Sequence, residues 1–587
     1  MVCKVAPRDS TPTHRTVNDT HEQNQGVADY ETALDSAGYG RFSRSVLGAC
    51  ACAFFTTGVQ NCVMSYVLPA ARCELQLTTY QAGLVNMAFM SGGVASAFFW
   101  GIVADVFGRR KILSLTLLID SAILLAQSTV SDYRILLAAR TINGFLIGGP
   151  STLVFTYLSD LVGARKRQLY LNITGMSFVA AWLILPAIAW LVIPFKIENH
   201  TTMLPIHSWR LYLALGSIPG FLSGVWVLFL PESPRLLCET NRSEKALKLL
   251  TDIHRSNVGF AGEYKIKKLI PDNIFIAKTV NGEENRTKAL FVGVLKDLKM
   301  FVSKSYAWKS TLILFVFFAN MAAGFGLNLW IPELLLRMQG TECAYARSTA
   351  VPESARLFNA SNIAWKDLPK VYDSWRPNQD INNGTLVDSL DGRSGRPRCE
   401  ENIDSTVFTS GLIVGACCVL GNAACAVLSG RGGRGGARGV QRAAAACACA
   451  CALACACLAA SACACASSRK LAVAAAAVLN AASLNGNVLL IRLLLHALPA
   501  KLSGLGVCWG AWWGRAGGVV SNLAVGVLLD YSCPAPFVAV SALLTISIFA
   551  IMMIKMDGNN EADVPDNKTE QEIDKNTGFD RFISTHM

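Results

Sequence analysis

Long runs of apolar residues alternate with short polar segments along most of the chain. A helix needs about 20 mostly apolar residues to cross a bilayer. Runs of that length lie at about 46–68, 80–103, 112–130, 134–157, 169–194, 209–230, 310–334, 406–428, 443–466, 471–497, 506–529 and 536–555. In lipid each run must be helical, because a helix satisfies its own backbone hydrogen bonds. The pattern predicts an all-α integral membrane protein with twelve transmembrane helices.

A polar segment, 231–308, has six of these runs on each side and is rich in Lys, Arg, Asp and Glu. Two six-helix bundles on either side of a polar connector are typical of secondary transporters. The predicted organisation is an N-terminal tail (1–45), a first bundle (46–230), the connector (231–308), a second bundle (309–555) that includes a long polar loop (335–405), and a C-terminal tail (556–587).

Composition agrees with a membrane protein. Hydrophobic residues make up 52% of the chain and charged residues 16%, whereas soluble domains carry about 25% charged residues. The net charge of +12 does not indicate a nucleic-acid partner, because the basic residues cluster between the spans and in the tails, as membrane orientation requires. We therefore expect membrane lipid, and no nucleic acid, as a partner.

The basic residues also predict the orientation. Loops on one side hold Arg109 to Lys111, Arg165 to Arg167 and four arginines between 431 and 442, and loops on the other side hold fewer bases. Short cytoplasmic loops carry an excess of Lys and Arg. The first side is predicted to be cytoplasmic, together with both termini, and the loop 335–405 then lies outside the cell or in a lumen.

That loop contains two acceptor sequences for N-glycosylation, at Asn359 and Asn383. It also contains Cys343 and Cys399, which are candidates for a disulfide in an oxidising compartment. Whether the two cysteines pair is left open by the sequence.

The segment from Gly430 to Ser468 is of low complexity and alternates Ala with Cys. Zinc sites need paired ligand spacings separated by a loop, and this alternation inside a predicted span supplies neither. We expect no metal site and no cofactor. Two interpretations remain, a divergent helix of small residues or an error in the predicted gene product.

The stretch "GIVADVFGRRK", Gly101 to Lys111, ends the second span. Gly101 and Gly108 permit close helix approach and a tight reversal. Asp105 lies one helical turn before Arg109 and is expected to pair with Arg109 or Arg110 at the interface, where a lone carboxylate is costly.

This stretch resembles the signature of the major facilitator superfamily between spans 2 and 3. The resemblance implies a charge latch at a cytoplasmic gate that breaks when the two halves rock. "YLSDLVGARKRQ" resembles a second family turn, with Tyr157, Asp160 and Arg167 in place, and "PESPRLL" resembles the sugar-porter and organic-ion branches at the same point. The latch residues implied by the resemblance are Gly101, Asp105, Gly108, Arg109, Arg110, Asp160 and Arg167.

Within the superfamily, the chain resembles the synaptic vesicle glycoprotein 2-like proteins. "ETALDSAGYGRFS" before span 1, "VLPAA" at its end and the long loop between spans 7 and 8 carry this likeness. Such proteins have an acidic pair, D-G-V-E, in span 1, where this chain reads "TGVQ" from Thr57 to Gln60. The missing carboxylates weaken the case for proton symport, because a buried carboxylate is the usual coupling group. Ser503 stands where the family has an Arg in its second-half turn.

Polar residues inside the spans are the candidates for solute binding, because they are costly there. Asp120 and Arg140 are the two charged candidates in the first half, and their helical positions make direct contact doubtful. The candidates are Gln60, Asn61, Asn86, Asp120, Arg140, Asn143, Asn320, Asn328, Asn480, Asn485 and Arg492. For a single Asn, a structural hydrogen bond between helices is the alternative interpretation.

The sequence therefore predicts a transporter of a small organic solute, an organic ion or a sugar-like molecule, that works by alternating access, with or without a coupling proton. It is expected to be a monomer in the plasma membrane or an intracellular vesicle, and not an enzyme. The rival hypothesis is a non-transporting membrane protein of vesicle trafficking or loop-mediated binding, since a shared fold does not settle function.

Overall fold

The structure is a computed structural model of the chain. It describes residues 27–72, 74–96, 99–194, 208–239, 242–259, 264, 266–269, 307–339, 405–431, 436–464, 469–498 and 500–554. The predicted glycosylation sites Asn359 and Asn383 and the candidate cysteines Cys343 and Cys399 lie outside these residues. We call the described residues up to 269 the N-half and those from 307 onward the C-half.

The N-half consists of eleven helices and one short strand pair. Its elements are β1 (Val27–Ala28), α1 (Tyr30–Ser36), α2 (Arg41–Cys62), α3 (Met64–Ala71), α4 (Thr79–Ser96), α5 (Phe99–Phe107), α6 (Arg109–Gln127), α7 (Tyr133–Leu161), α8 (Ala164–Val192), α9 (Ser208–Leu228), α10 (Pro234–Glu239), α11 (Ser243–Val258) and β2 (Lys268–Leu269).

The C-half begins with α12 (Ala307–Met321), which continues into a π-helical segment (Ala322–Leu327) and a 3₁₀ turn (Asn328–Trp330) before α13 (Ile331–Gln339). The remaining helices are α14 (Ser405–Arg431), α15 (Gly436–Ala464), α16 (Arg469–Ala497), α17 (Ala500–Tyr531) and α18 (Ala535–Met553).

Each of the twelve predicted spans coincides with a helix or with consecutive helices of these two halves. Within the described ranges, eight helical segments are long and apolar enough to cross a membrane, and nine if α4 and α5, which meet at a bend of 50°, form one span. Basic and acidic residues lower the mean hydropathy of α6, which starts at Arg109 and contains Asp120.

The helices of the N-half cross at glycines. A Cβ on Gly144 of α7 would lie 1.9 Å from the carbonyl oxygen of Phe89 in α4, and one on Gly92 of α4 would lie 2.2 Å from that of Thr141. The two backbones are therefore in contact, as small residues allow in membrane helix pairs. Across the two halves, α14 approaches α8 in the same way, where a Cβ on Gly415 would lie 2.3 Å from the carbonyl oxygen of Trp182.

The low-complexity segment forms a regular helix, α15, that packs against α16 and α18. Cys451 and Cys455, one helical turn apart, are fully buried. Ser541 of α18 donates a hydrogen bond to the carbonyl of Ala452 at 3.0 Å. In this helix of small residues, Cys acts as a small apolar side chain.

The end of the N-terminal tail and part of the connector fold together. Val27 and Ala28 pair in parallel with Lys268 and Leu269, and Ala33, Leu34 and Ala37 are buried. Asn257 of α11 donates to the carbonyl of Gly38 at 2.9 Å and accepts from the backbone N–H of Ser43 at 3.2 Å. We call β1, α1, α11 and β2 the cap; the sequence predicted tail and connector as separate segments.

Candidate functional site

The predicted latch residues meet at one end of the N-half, which we call the inner end. Asp105 accepts two hydrogen bonds from Arg109, at 3.1 Å from Nη2 and 3.3 Å from Nε. Arg109 also pairs with Asp160, at the end of α7. The guanidinium therefore joins the end of α5 to the end of α7, and the pairing of Asp105 with Arg109, rather than with Arg110, is the one that forms.

Asp160 is the most buried acid of this cluster, with 2% of its surface exposed. Besides Arg109, its carboxylate accepts a hydrogen bond from the hydroxyl of Ser233 at 2.6 Å. Its backbone carbonyl accepts one from the hydroxyl of Tyr30 in the cap at 2.5 Å. Burial, and next the charge of Asp160, raise the pKa of Tyr30 well above its ordinary value, so this hydroxyl remains a donor at physiological pH.

Gly108 makes the reversal between α5 and α6 possible. Its φ of 107° is in the left-handed region that favours glycine, and a Cβ would lie 2.5 Å from the carboxylate of Glu232. Glu232 accepts from the backbone N–H of Arg110 at 3.0 Å, and the side chain of Arg110 donates to the carbonyl of Leu230 at 3.0 Å. The "PESPR" segment is thus held against the "GRRK" turn.

Arg167 belongs to this end of the molecule but has a different partner. Its Nη2 lies 2.6 Å from Oε2 of Glu31, in the cap, and Arg235 approaches the other oxygen of Glu31 at 4.0 Å. Glu31 was not singled out by sequence reasoning, because an acid in a polar tail is usually solvated. The cap therefore contacts the latch through two of its own residues, Tyr30 and Glu31.

Four predicted solute-binding residues lie together inside the N-half. Nε2 of Gln60 donates to Asp120 at 2.6 Å, while its Oε1 accepts from Arg140 at 2.9 Å. Asn143 donates to the other carboxylate oxygen of Asp120 at 2.5 Å, and Gln127 donates to Asn143. Asp120 and Arg140 do not touch each other directly; the amide of Gln60 connects them.

This polar cluster is buried, and the hydrogen-bond partners described for it belong to the N-half. Asp120 and Gln60 are 0% exposed and Arg140 2%, and the guanidinium of Arg140 lies over the ring of Phe89, 4.3 Å from its centroid. One acid and one base, connected by a neutral amide, give the cluster no net charge when both are ionised. A role in solute binding stays a prediction for these residues, because their contacts are to one another.

Three of the other amide candidates make hydrogen bonds within a helix or between two helices. Asn61 donates to the carbonyl of Thr57 one turn earlier, and Asn485 to that of Ala481. Asn320 joins α12 to α16 by donating to Asn487 at 2.6 Å and to the carbonyl of Ser483 at 3.0 Å. For these three the structure shows helix hydrogen bonds.

Asn328 has a different setting, directly after the π-helical segment. A π-helical turn inside a helix often marks a functional site. Two side chains of α17 support this one: Ser521 donates to the carbonyl of Ala322 at 2.9 Å and Asn522 to that of Phe325 at 3.2 Å. Nδ2 of Asn328 donates to the carbonyl of Gly324 at 2.7 Å and to Oδ1 of Asn480 at 3.2 Å.

Among the described residues, Asn328 lines a cavity between the halves, and a second cavity lies beside it. Both lie toward the end opposite the latch, which we call the outer end. The α8-side cavity encloses about 450 Å³, open solvent included. Its lining residues are Cys62, Ser65, Tyr66, Trp182, Pro186, Asn328, Ile331, Pro332, Leu335, Val407, Gly411, Val414 and Asn480.

The second, α4-side cavity encloses about 380 Å³, open solvent included, and is bounded by α3, α4 and the turn after the π-helical segment. It shares Ser65 with the first cavity, and Asn86 and Trp330 also line it. Mostly apolar walls with a few polar groups are the usual form of small-molecule sites.

An ion pair at the outer end joins the halves across the α4-side cavity. Arg72 of the N-half and Glu333 of the C-half both line this cavity, and Nη1 lies 2.9 Å from Oε1. We call this pair the outer lock. This pair has no signature in the sequence, since pairing over such a sequence separation leaves no local pattern.

A second residue that sequence reasoning missed is Arg515, in the middle of α17. Its guanidinium crosses to the N-half and donates to the carbonyl of Gly93 at 2.6 Å and to the hydroxyl of Ser151 at 2.9 Å. The sequence does contain a signal for Arg515, because an arginine within an apolar run is costly in a membrane.

The family comparison agrees with this architecture. The sequence profile of the Major Facilitator Superfamily matches residues 49–364, and the chain belongs to this superfamily of transporters.

Two curated relatives illustrate the likeness within it. Synaptic vesicle glycoprotein 2B of Rattus norvegicus is 29% identical over 336 residues, which are 55% of this chain and 49% of that protein. Synaptic vesicle glycoprotein 2A of the same species is 26% identical over 348 residues, 55% of this chain and 45% of that protein. The chain spans about half the length of the curated relatives it matches.

Solved structures share the fold. The xylose transporter XylE from E. coli, in a partially occluded inward-open conformation, superposes with a TM-score of 0.55 over 87% of this chain and 99% of that one, at 11% identity. The nucleoside transporter NupG superposes with a TM-score of 0.54 over the same shares, also at 11% identity. The predicted major facilitator fold and the assignment as a multi-pass membrane protein are confirmed.

Proposed function

We propose that the protein carries a small organic solute across a membrane by alternating access, as a uniporter. The observation that carries the proposal is the pair of cavities between the halves, with the outer lock across one of them. A site between two halves, closed at one end by a breakable contact, is what alternating access requires.

The latch at the inner end supports the same cycle. Arg109 is shared by Asp105 and Asp160, so the contact is made of charged groups rather than of packed apolar surface. We propose that the latch positions α5, α7 and the cap in one state of the cycle and rearranges in the other.

The polar cluster of the N-half supports uniport. Gln60 occupies the place between Asp120 and Arg140, and its amide donates to one and accepts from the other without any proton transfer. A carboxyl group at this position would place two acids, itself and Asp120, beside the single base Arg140. With the amide, the formal charges balance, and the cluster has no need of a coupling proton.

Flux into proteoliposomes tests the proposal, with a mixed panel of sugars, organic cations, organic anions and amides read by mass spectrometry, with and without an imposed proton gradient. We expect equilibration of at least one solute class at a rate that the gradient does not change. Gradient-driven accumulation would replace uniport by symport. If folded, reconstituted protein moves no solute, the result would favour the alternative of a non-transporting membrane protein.

A further inference from the structure

Two arginines at the start of α2 have no acidic partner in the described part of the chain. Arg41 and Arg44 are exposed, and the ion pairs of the described residues involve neither of them. They lie three positions apart, so they are neighbours on the helix surface and repel each other. The first turn of α2 contains no acid, and positive charge is unfavourable at the start of a helix. An anion from outside the chain would offset these costs.

The neighbours of the two arginines on α2 show which surface they border. Arg41 lies one helical turn before Ser45. Arg44 lies one turn before Gly48, so the four residues share one face. Trp226 of α9 covers the outer part of this face, because its indole N–H donates to the hydroxyl of Ser45 at 3.1 Å. The same ring lies 2.7 Å from where a Cβ on Gly48 would be. The arginines therefore lie on the inward side of an indole ring that is fixed in place.

An exposed apolar stripe on α9 continues this surface toward the middle of the membrane. It consists of residues that recur one helical turn apart, namely Leu222, Val225, Trp226 and Phe229. Trp226 is 41% exposed and Phe229 83%. Both α9 and the continuous pair α2 and α3 are long and apolar enough to cross a membrane. The stripe is therefore expected to contact the hydrocarbon chains of lipids.

The arginines and the indole ring lie at the level of the lipid headgroups. Ser43, between the two arginines, is held by Asn257 of the cap. Leu230, directly after Phe229, accepts a hydrogen bond from Arg110 of the latch. These contacts place the start of α2 and the end of α9 at the inner end, where both helices leave the membrane. Tryptophan rings are favoured at this level, and basic residues are attracted to anionic headgroups there.

We propose that Arg41, Arg44 and Trp226 form a binding site for one anionic phospholipid of the leaflet at the inner end. We call these three residues the lipid site. The guanidinium groups hold the phosphate, since their geometry suits paired hydrogen bonds with phosphate oxygens. One acyl chain lies along the stripe on α9. The lipid site goes beyond the transport function proposed above and does not depend on it.

The chemistry of the surface favours an anionic lipid over other phosphates. A soluble phosphate pairs with the arginines but leaves the apolar stripe uncovered. A zwitterionic lipid covers the stripe but brings its own cation close to the phosphate. An anionic lipid supplies both net negative charge and apolar chains, the two contributions that add up in binding at a membrane interface.

Binding of the first lipid molecule to the purified full chain in neutral detergent measures the lipid site. The probes are phosphatidylglycerol and phosphatidylcholine with identical chains, and the readout is native mass spectrometry. We expect phosphatidylglycerol to bind at least tenfold more tightly. Arg41→Gln combined with Arg44→Gln should lower its affinity about tenfold to thirtyfold, because each arginine beside an anionic lipid contributes about fivefold. The affinity of phosphatidylcholine should stay within twofold.

Arg165→Gln combined with Lys166→Gln is the matched control. Both residues are exposed at the start of α8, at the same inner end, and Lys166 lies over the ring of Tyr39, 4.9 Å from its centroid. This variant loses the same charge, and we expect its affinity for phosphatidylglycerol to change less than twofold. An equal loss in both double variants would show that the inner end attracts anionic lipid only through its total charge, and would overturn the lipid site.

A second measurement uses the arginines unchanged. Phosphatidylglycerol brominated on its acyl chains quenches tryptophan fluorescence on contact, and the part of the quenching that is lost in Trp226→Phe reports on Trp226. We expect this part to exceed that obtained with brominated phosphatidylcholine at least twofold. Equal quenching by the two lipids would contradict the proposal.

Glycerol 3-phosphate separates the lipid from its soluble headgroup chemistry. At tenfold excess it should leave phosphatidylglycerol bound, and displacement would assign the arginines to a soluble phosphate instead. None of these measurements needs flux, so their failure would leave the transport proposal intact.

Discussion

Arg72 and Glu333 are 261 positions apart in the chain and form an ion pair that joins the N-half to the C-half at the outer end. The side chain of Arg72 is 40% exposed and that of Glu333 12%. The pair is therefore partly solvated, and its contribution is small enough for the contact to form and break, as the proposed cycle requires.

Reversal of one charge in the outer lock should favour the outward-open state. Partly exposed pairs contribute about 0.2–1 kcal/mol, so we expect Arg72→Glu to raise the labelling rate of a cysteine introduced by Ser65→Cys, applied from the outer side, about twofold to fivefold. Adding Glu333→Arg should restore the original rate. Glu74→Gln is the control, since Glu74 pairs with Arg210 inside the N-half. Equal labelling in all variants would exclude the pair as a lock.

The two acids that share Arg109 should respond differently to neutralisation. Asp105 is the more exposed one, at 31% of its side chain, so Asp105→Asn should slow turnover while Tm stays nearly unchanged. Asp160→Asn removes the buried partner, and breaking a buried pair costs about 3–5 kcal/mol, so Tm should fall clearly. Flux and Tm of both variants, measured in parallel, check this. Normal turnover in Asp105→Asn would exclude a gating role for that residue.

Gln60→Glu should make transport sensitive to pH. The variant places a second carboxyl group between Asp120 and Arg140, and two acids that share one base in a buried site cannot both remain ionised without penalty. We expect a flux that varies with pH in the variant and is flat in the original protein. Gln60→Met, which fills similar space without a titratable group, is the control. A pH-dependent original protein would contradict the uniport proposal.

The backbone contact between α4 and α7 should tolerate no side chain. Gly144→Ala places a methyl group where the carbonyl oxygen of Phe89 lies 1.9 Å away, so the helices must separate, and we expect loss of most folded protein in fluorescence-detected size-exclusion chromatography. Gly175→Ala in α8 meets nothing within 4 Å and should fold normally, because alanine is favoured over glycine in helices by about 1 kcal/mol. Equal yields of the two variants would show that the backbones of α4 and α7 are not in contact.

Release of the cap should be detectable without loss of the bundle. Asn257 holds residues 38 and 43 by four hydrogen-bonding contacts, so Asn257→Ala should increase hydrogen exchange in α1 severalfold while exchange in α7 stays protected. Ser256→Ala is the control, since the neighbouring Ser256 is exposed on the same helix α11. Unchanged exchange in α1 would mean that the buried apolar residues alone hold the cap.

Apolar runs of about 20 residues predicted the helices because their signal is local and repeated. The latch was also predictable, since Asp105, Gly108 and Arg109 lie within one short motif. The outer lock was not predictable, because each of its two residues alone is typical of the charges that flank a membrane span. Their pairing depends on how the two halves contact each other.

The α8-side cavity illustrates the same limit. Asn328 and Asn480 were candidates because amides are costly inside spans, but Trp182 was indistinguishable from the other apolar residues of α8. The π-helical segment, which sets the position of Asn328, has no signature in the pattern of apolar and polar residues. Its stability depends on Ser521 and Asn522 in another helix.

The outer lock and the inner latch lie at opposite ends of the molecule and both consist of charged groups. Ions in solution screen charges beyond about 10 Å at 0.1 M ionic strength and over shorter distances as the salt concentration rises, and each solution reaches only the contact on its own side. Concentrated salt on one side of a sealed vesicle therefore weakens one contact and spares the other. We accordingly expect the protein to respond to ionic asymmetry, with the outer end, where the ion pair joins the two halves, opening more readily when it faces the saltier solution.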